Sequence, residues 1–266
     1  MQSLKMKTLK TLKAAALLGA MTLVGAVQAA GVSGQGTWET TLKARDLDGI
    51  TANGPEAYYD TALNITWFIN AGGAALPWSQ ANDWAANYVI LYGITGWRLP
   101  KMVDLAEAGC NFEYSGSDCG YNVSTANAEL AHMYYVTLGN KASVAPNGSN
   151  QAGAGLVNTG PFNNLSKGYY WYGTGSYDAA DPTGQVVAER AFFFINELTF
   201  TYDDGYTELK AGQQGTVGIG RSAFVWLVHD GDVTAAVPEP QSYALMLAGL
   251  GLMGFAARRR SSNKQQ

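Results

Sequence analysis

Several short stretches of this chain alternate apolar and polar residues with a period of two. Trp38, Thr40, Leu42 and Ala44 face one way, and Glu39, Thr41, Lys43 and Arg45 the other, which predicts a half-buried strand. Asp46-Leu47-Asp48-Gly49 then reads as a turn. A second strand is predicted where Leu63, Ile65, Trp67 and Ile69 oppose Asn64, Thr66, Phe68 and Asn70, with Tyr58-Tyr59 as a short pairing segment before it. The period then changes. Ala81, Trp84, Ala85 and Tyr88 fall at i, i+3, i+4 and i+7, Ser79 can cap them, and Gly93 and Gly96 end the helix they predict. Trp97-Arg98-Leu99-Pro100 follows, and Pro100 is placed to open a short helix through Met102, Val103 and Leu105. Leu130, Tyr134 and Leu138, four apart, predict a further helix over 127–138, stopped by Gly139-Asn140.

Residues 141–167 are rich in Gly, Asn and Ser and predict a long irregular surface stretch. Strands resume at 169–172, 186–194 and 198–202, and Asp204-Gly205 reads as a hairpin turn into Tyr206. The last predicted strand is 223–228, ahead of Asp230-Gly231-Asp232. Strands, then two or three helices, then strands again predict an α+β fold with a mostly antiparallel sheet.

Both ends of the chain follow a different pattern. Lys5, Lys7, Lys10 and Lys13 precede an apolar run at 14–27, and Val27-Gln28-Ala29 offers a cleavage site before Ala30, so 1–29 reads as a signal peptide. At the other end, Pro238 and Pro240 around Glu239 prevent a helix from running through. The fifteen residues 243–257 carry no charge. As a helix they would span about 22 Å, short of the ~30 Å hydrocarbon core. Arg258, Arg259 and Arg260 would hold their end on the cytoplasmic side. The predicted organisation is a signal peptide (1–29), one α+β domain (30–232), a linker (233–242), a short transmembrane helix (243–257) and a basic tail (258–266).

This division redistributes the charge. The two ends hold eight of the 17 Lys and Arg residues but only one of the 21 acids, which leaves nine bases against 20 acids, a formal −11, where the whole chain carries −4. So acidic a domain repels nucleic acid and anionic lipid, and leaves room for a divalent cation. Cys110 and Cys119 lie in one Gly/Ser-rich loop and, in an oxidising compartment, are expected to form a disulfide. Closing so short a loop would stabilise the domain by about 2–3 kcal/mol.

Val237-Pro238-Glu239-Pro240, the Leu-Ala-Gly-Leu-Gly-Leu segment at 247–252 and the triple arginine together resemble the PEP-CTERM sorting signal of exported bacterial proteins. That resemblance implies transient membrane insertion, processing by an exosortase, and delivery to the cell surface or exopolysaccharide matrix. The middle shows a second resemblance. Asn64-Ile65-Thr66-Trp67, a helix with Trp84 and Ala85, Gly96-Trp97-Arg98-Leu99-Pro100, the aromatic run 169–172, Asp203-Asp204-Gly205 and Val225-Trp226-Leu227-Val228 occur in an order similar to the domain that ends collagen-like bacterial adhesins. That domain is related to the formylglycine-generating-enzyme and C-type-lectin group, and implies a compact lectin-like fold in which Arg98-Leu99-Pro100 links the first helix to the second. The chain departs from it with Lys101 where Thr is usual, and His229 where Arg is usual. It lacks the late cysteine pair of the oxidase branch, so oxidase activity is not carried over.

Candidate chemistry is sparse. His132 falls within a predicted helix, while His229 ends a strand beside Asp230 and Asp232. No Gly-x-Ser-x-Gly elbow marks a nucleophile. Asp46-x-Asp48-Gly49 and Asp230-x-Asp232 resemble pieces of calcium loops but lack the bidentate Glu, so a structural calcium is the one cofactor left open. Tyr170, Tyr172, Tyr206 and Trp226 are candidates for stacking on sugar rings, although strand alternation also sends such residues into a core. The favoured expectation is a non-enzymatic surface or matrix protein that binds extracellular polysaccharide or serves adhesion within the exopolysaccharide (biofilm) layer. The alternative is an exported hydrolase with dispersed residues around His229 and Asp230.

Overall fold

The computed structural model describes residues 31–103, 114, 118–162, 164–177, 186–195, 197–202, 205–217, 220–235, 248–250 and 253. The signal peptide, Cys110, Leu105, Asp203, Asp204, the sorting residues Val237 to Pro240 and Arg258 to Arg260 fall outside them, as does most of the 243–257 run. Among the described residues no helix is long and apolar enough to cross a membrane.

The first expected strand is split. The Thr37 carbonyl accepts the N–H groups of both Thr40 and Thr41 at 2.9 Å, and the Glu39 carboxylate accepts from Ser33 Oγ and Gly34 N at the same distance. These bonds curl Trp38–Thr41 into a helical turn (α1), and only Leu42–Arg45 (β1) is extended. Next come Ala57–Asp60 (β2), Ile65–Phe68 (β3) and Ala75–Pro77 (β4). The expected Tyr58-Tyr59 pairing is present: Tyr58 faces Trp67 across β2 and β3.

Trp78–Asn87 (α2) begins directly after Pro77, one residue before Ser79, which therefore lies inside the first turn and caps nothing. Ala81 and Ala85 are buried, but Trp84 and Tyr88 are 40% and 69% exposed, so the narrow, small side of the stripe faces the core. Trp97–Arg98 (β5) follows. Over 101–103, the described part of the helix expected after Pro100, the chain is not helical, because its N–H groups are taken by other partners. Lys101 N donates to the Glu129 carboxylate at 2.6 Å, Met102 N to Thr174 Oγ1 at 3.4 Å, and Val103 N to the Asn127 carbonyl at 2.7 Å. Gly120–Tyr121 (β6) precedes Glu129–His132 (α3), which widens into a π-helical segment, Met133–Thr137. The remaining strands are Gly168–Tyr177 (β7), Val186–Phe194 (β8), Glu197–Tyr202 (β9), Gly205–Lys210 (β10), Gln213–Val217 (β11), Ser222–Phe224 (β12) and Val228–Asp230 (β13).

These strands form two sheets and a hairpin. One sheet has the order β1-β2-β3-β13-β5, the other β4-β12-β7-β8-β11-β6, and β9 pairs with β10 by itself. Every pairing is antiparallel except β12 with β7. The single strand expected at 223–228 is two strands in different sheets, and residues 225–227 carry the chain between them.

Two cores result. Alternation along β7 and β8 sends Tyr170, Tyr172, Phe192 and Phe194 to a core shared with α3, Trp67, Phe162 and Trp226. It sends Trp171 and Ala191 to the other, with α2, Trp97, Leu99, Val225 and Leu227. The sheet is thus covered on both faces, and this corrects the sugar-stacking expectation. Tyr170, Tyr172 and Trp226 are fully buried; the rings of Tyr170 and Trp226 meet other aromatics edge-on or tilted, and the Tyr172 hydroxyl donates to Gln214 Oε1 at 2.6 Å. Tyr206 lies on β10, and its side chain is outside the described atoms. The 141–167 stretch is irregular as expected but is not merely surface, since Leu156, Phe162 and Leu165 enter the first core.

At the centre of that core Trp226 packs on Trp67 (ring centroids 4.6 Å apart) and Phe162 (4.9 Å), and donates its indole N–H to the Phe68 carbonyl at 2.9 Å. Trp226→Ala should cost about 3–5 kcal/mol in urea unfolding. Trp84→Ala, on the exposed side of α2, should stay within about 0.5 kcal/mol. Similar losses in the two variants would contradict this placement of the core.

Candidate binding cleft

The Trp97-Arg98-Leu99-Pro100 stretch supplies the most heavily bonded side chain on the surface. Arg98 is held on β5, beside β13, and its guanidinium points at the start of α3. Nη1 and Nη2 each donate to the Glu129 carboxylate at 2.8 Å, in a bidentate fork. Nε donates to Asp230 at 3.0 Å, Nη2 also donates to Asp230, and Nη1 donates to the Leu99 carbonyl at 3.0 Å. All five N–H donors of the side chain are used. Burial would lower the Arg98 pKa, but the two carboxylates outweigh it and the net shift is upward. The Asp230 carboxyl is held below its ordinary range, chiefly by its hydrogen bond from Arg98. Lys101 Nζ completes the cluster, 3.3 Å from Asp230.

Beside this cluster lies a cleft of about 550 Å³, a size ordinary for small-ligand sites. Its walls come from α2 (Asn82), residues 99–103, the loop entering α3 (Thr125 to Ala128) and β7 (Gly173, Thr174). Leu63, Leu99, Met102 and Ala128 give it aliphatic surface. Thr174 Oγ1 is spent on the Met102 carbonyl at 3.0 Å. Asn82, Thr125 and Asn127 make no side-chain hydrogen bond among the described residues. Sequence reasoning singled out the Arg98 motif but missed Glu129 and these three, because isolated Asn and Thr residues in loops and on helices carry no pattern.

The sequence-predicted acid–base pair is not assembled. His229 Nδ1 donates to the backbone carbonyl of Asp230 at 2.6 Å, and its ring stands edge-on to Trp97, while the Asp230 carboxylate turns to Arg98 and Lys101. Nor does Asp230-x-Asp232 form a shared cation loop, since Asp232 is paired with Arg45 at 2.6 Å. Asp46 and Asp48 do converge, and Glu56, a residue the sequence reading did not include, brings a third carboxylate within 4.8 Å. These oxygens already accept bonds: Asp46 from Gly49 N, Asp48 from Ile50 N and Asn53 Nδ2, and buried Glu56 from Leu47 N. Three carboxylates are half or less of the six to eight oxygens calcium takes, so a cation there would need water or carbonyl oxygens as well.

His132, expected in a helix, is there and is half-buried. Its Nδ1 lies 3.3 Å from Thr137 Oγ1, which reaches toward the buried Asp60 carboxylate. Burial lowers the His132 pKa and the Asp60 charge partly opposes this; burial raises the Asp60 pKa.

A family model for the PEP-CTERM protein-sorting motif matches residues 236–260. No curated protein matches the chain, and no solved structure does. The tail therefore has the motif of an exosortase substrate, which implies export and a surface or extracellular fate. The likeness of the middle to the adhesin and lectin group finds no support among these comparisons.

Two outcomes test the geometry. Arg98→Lys keeps the charge but not the fork, and Arg98→Ala strands Glu129, so the alanine variant should lose about 3 kcal/mol or more. Asp230→Asn, at a side chain 65% exposed, should lose less than about 1 kcal/mol. Urea unfolding that ranks Asp230→Asn above Arg98→Ala would refute the hub. For His132 the folded state binds the proton less readily than the unfolded chain. Its stabilising contribution is thus present above the ordinary imidazole pKa of about 6.5 and is lost as pH falls through the lower folded value. Asp60, shifted upward, works in the opposite sense. His132→Gln should remove the acid-side loss of stability between about pH 7 and 5; an unchanged slope would assign that loss to another group.

Proposed function

We propose that this chain is an exported surface or matrix protein, sorted by an exosortase, whose α+β domain is a non-enzymatic module that binds extracellular polysaccharide. The observation that carries the reading is the sorting motif at 236–260. It follows a domain of formal charge −11, a composition suited to life away from anionic lipid. A binding role is supported by the chemistry beside the cleft. Arg98, Glu129 and Asp230 are consumed by one another and the exposed Lys101 ammonium pairs with Asp230, which leaves mainly neutral polar and aliphatic groups to meet a ligand.

In the same reading the 243–257 run inserts only transiently, and Cys110 pairs with Cys119 once the chain reaches an oxidising compartment. Cys119 is fully buried, 2.9 Å from the Arg190 guanidinium. The lectin-like architecture is part of the proposal and rests on the motif order alone.

Replacing Pro238-Glu239-Pro240 with three alanines should hold the protein in the inner membrane, as seen by fractionation and by the mass of the released form. Normal release of the alanine variant would refute the sorting route. Failure of the released wild-type protein to be retained on any polysaccharide would refute the binding role while leaving the sorting route standing.

A further inference from the structure

We propose that the cleft beside Arg98 is the binding site, and that its ligand is a short, uncharged, hydroxyl-rich stretch of carbohydrate. This rests on the polysaccharide reading above and names its site and ligand class.

The argument starts from what each wall group has left to offer. An anionic sugar is ordinarily held by a free arginine fork or by several free ammonium groups. Here Arg98 has no donor left, and both Glu129 oxygens accept, one from Arg98 Nη2 and the other from Arg98 Nη1 and Lys101 N. The four charged side chains Arg98, Lys101, Glu129 and Asp230 sum to zero within one cluster, and the surrounding domain is acidic. What this wall offers a polyanion is limited to the Lys101 ammonium, which already faces Asp230, and the rest of the molecule repels it.

The three polar side chains of the lining that make no side-chain hydrogen bond among the described residues are of the opposite kind. Asn82 and Asn127 each present a carbonyl oxygen and an NH2 group, and Thr125 a hydroxyl. They can donate to and accept from vicinal hydroxyls without carrying charge. They come from two separate elements, α2 and the loop before α3, so they bracket the cleft. The aliphatic surface that Leu63 and the exposed Val103 bring to the lining suits the C–H faces of a sugar ring, over Leu99 and Met102, which are almost wholly buried.

Gly173 adds a steric observation. A Cβ on it would stand 3.4 Å from Leu99 Cβ and 3.5 Å from Asn82 Oδ1, both groups of the cleft lining. A branched side chain there would project between them and occupy the space assigned to the ligand.

The test uses the full chain in mild detergent and titrates it calorimetrically with neutral gluco-oligosaccharides, uronic acid oligosaccharides and uncharged peptides. The neutral sugars are expected to bind. Asn82→Ala and Asn127→Ala, both outside the core, should each weaken binding about tenfold with the urea midpoint unchanged. Gly173→Val should abolish binding, and Trp84→Ala with Tyr88→Ala on the exposed side of α2 should leave it intact. Binding that is lost in the Trp84 and Tyr88 variants and untouched in the cleft variants would overturn the site but preserve polysaccharide binding. Preference for uronic acid sugars or for peptides would overturn the ligand class. No binding of any sugar, in titration or on a polysaccharide array, would overturn this inference and the binding role together.

Discussion

A guanidinium taken out of water must have its charge matched and its N–H groups satisfied, and at Arg98 both demands are met from distant parts of the chain. Glu129 lies 31 residues onward and Asp230 132 residues onward. Placing Arg98 on β5 therefore requires the first turn of α3 and the end of β13 to arrive together. β13 pairs with both β3 and β5, so the cluster also fastens the β5 edge of the five-stranded sheet. The bond from Lys101 N to Glu129 diverts the chain after Pro100 from a helix into a paired segment. That diversion opens the wall of the cleft. One side chain thus sets a sheet edge, a helix entry and the wall of a cleft.

The six-stranded sheet carries the second constraint. Both its faces are covered, so successive aromatics on β7 and β8 feed different cores. The chain uses the same alternation when it passes from β12 to β13, where Val225 and Leu227 join one core and Trp226 the other. Three residues outside any strand therefore pin the two sheets together. Buried indoles bring a polar N–H into the core, and here Trp78, Trp171 and Trp226 donate to carbonyls of Tyr172, Leu76 and Phe68. Each of these bonds crosses between strands or elements far apart in sequence. Aromatic bulk and strand register are set by the same residues.

What could be read in advance follows from these constraints. Period-two alternation located β3 and helical spacing located α2 and α3, while aromatic and apolar runs marked β2, β7 and β8. The Asp204-Gly205 hairpin was legible from turn chemistry, and β9 pairs with β10 as expected. β4, β5 and β6, two or three residues each, are too short to show a period, and β11 reads Gln-Gln-Gly-Thr-Val, with too few apolar residues to alternate. The aromatic run at 169–172 signalled a strand correctly and a platform wrongly, since alternation cannot say whether a second face is also covered. The Arg98 motif was visible, but its partners come from other elements, and no spacing in the chain announces Glu129, Asn82 or Asn127.

The tail and the domain illustrate two ways in which a chain can encode behaviour. The sorting motif is contiguous, so it was readable as a string and matched as one. The cleft is assembled from five separated stretches, so it exists only after folding. The charge distribution keeps the two from interfering. On the proposed export route the acidic domain and the basic tail would stand on opposite sides of the membrane, the tail held at the anionic cytoplasmic leaflet. Neutral recognition in the cleft fits the same arrangement. A domain of formal charge −11 could meet a polyanion only against its own field, whereas an uncharged sugar chain approaches without electrostatic cost and is selected by hydrogen bonds and shape alone.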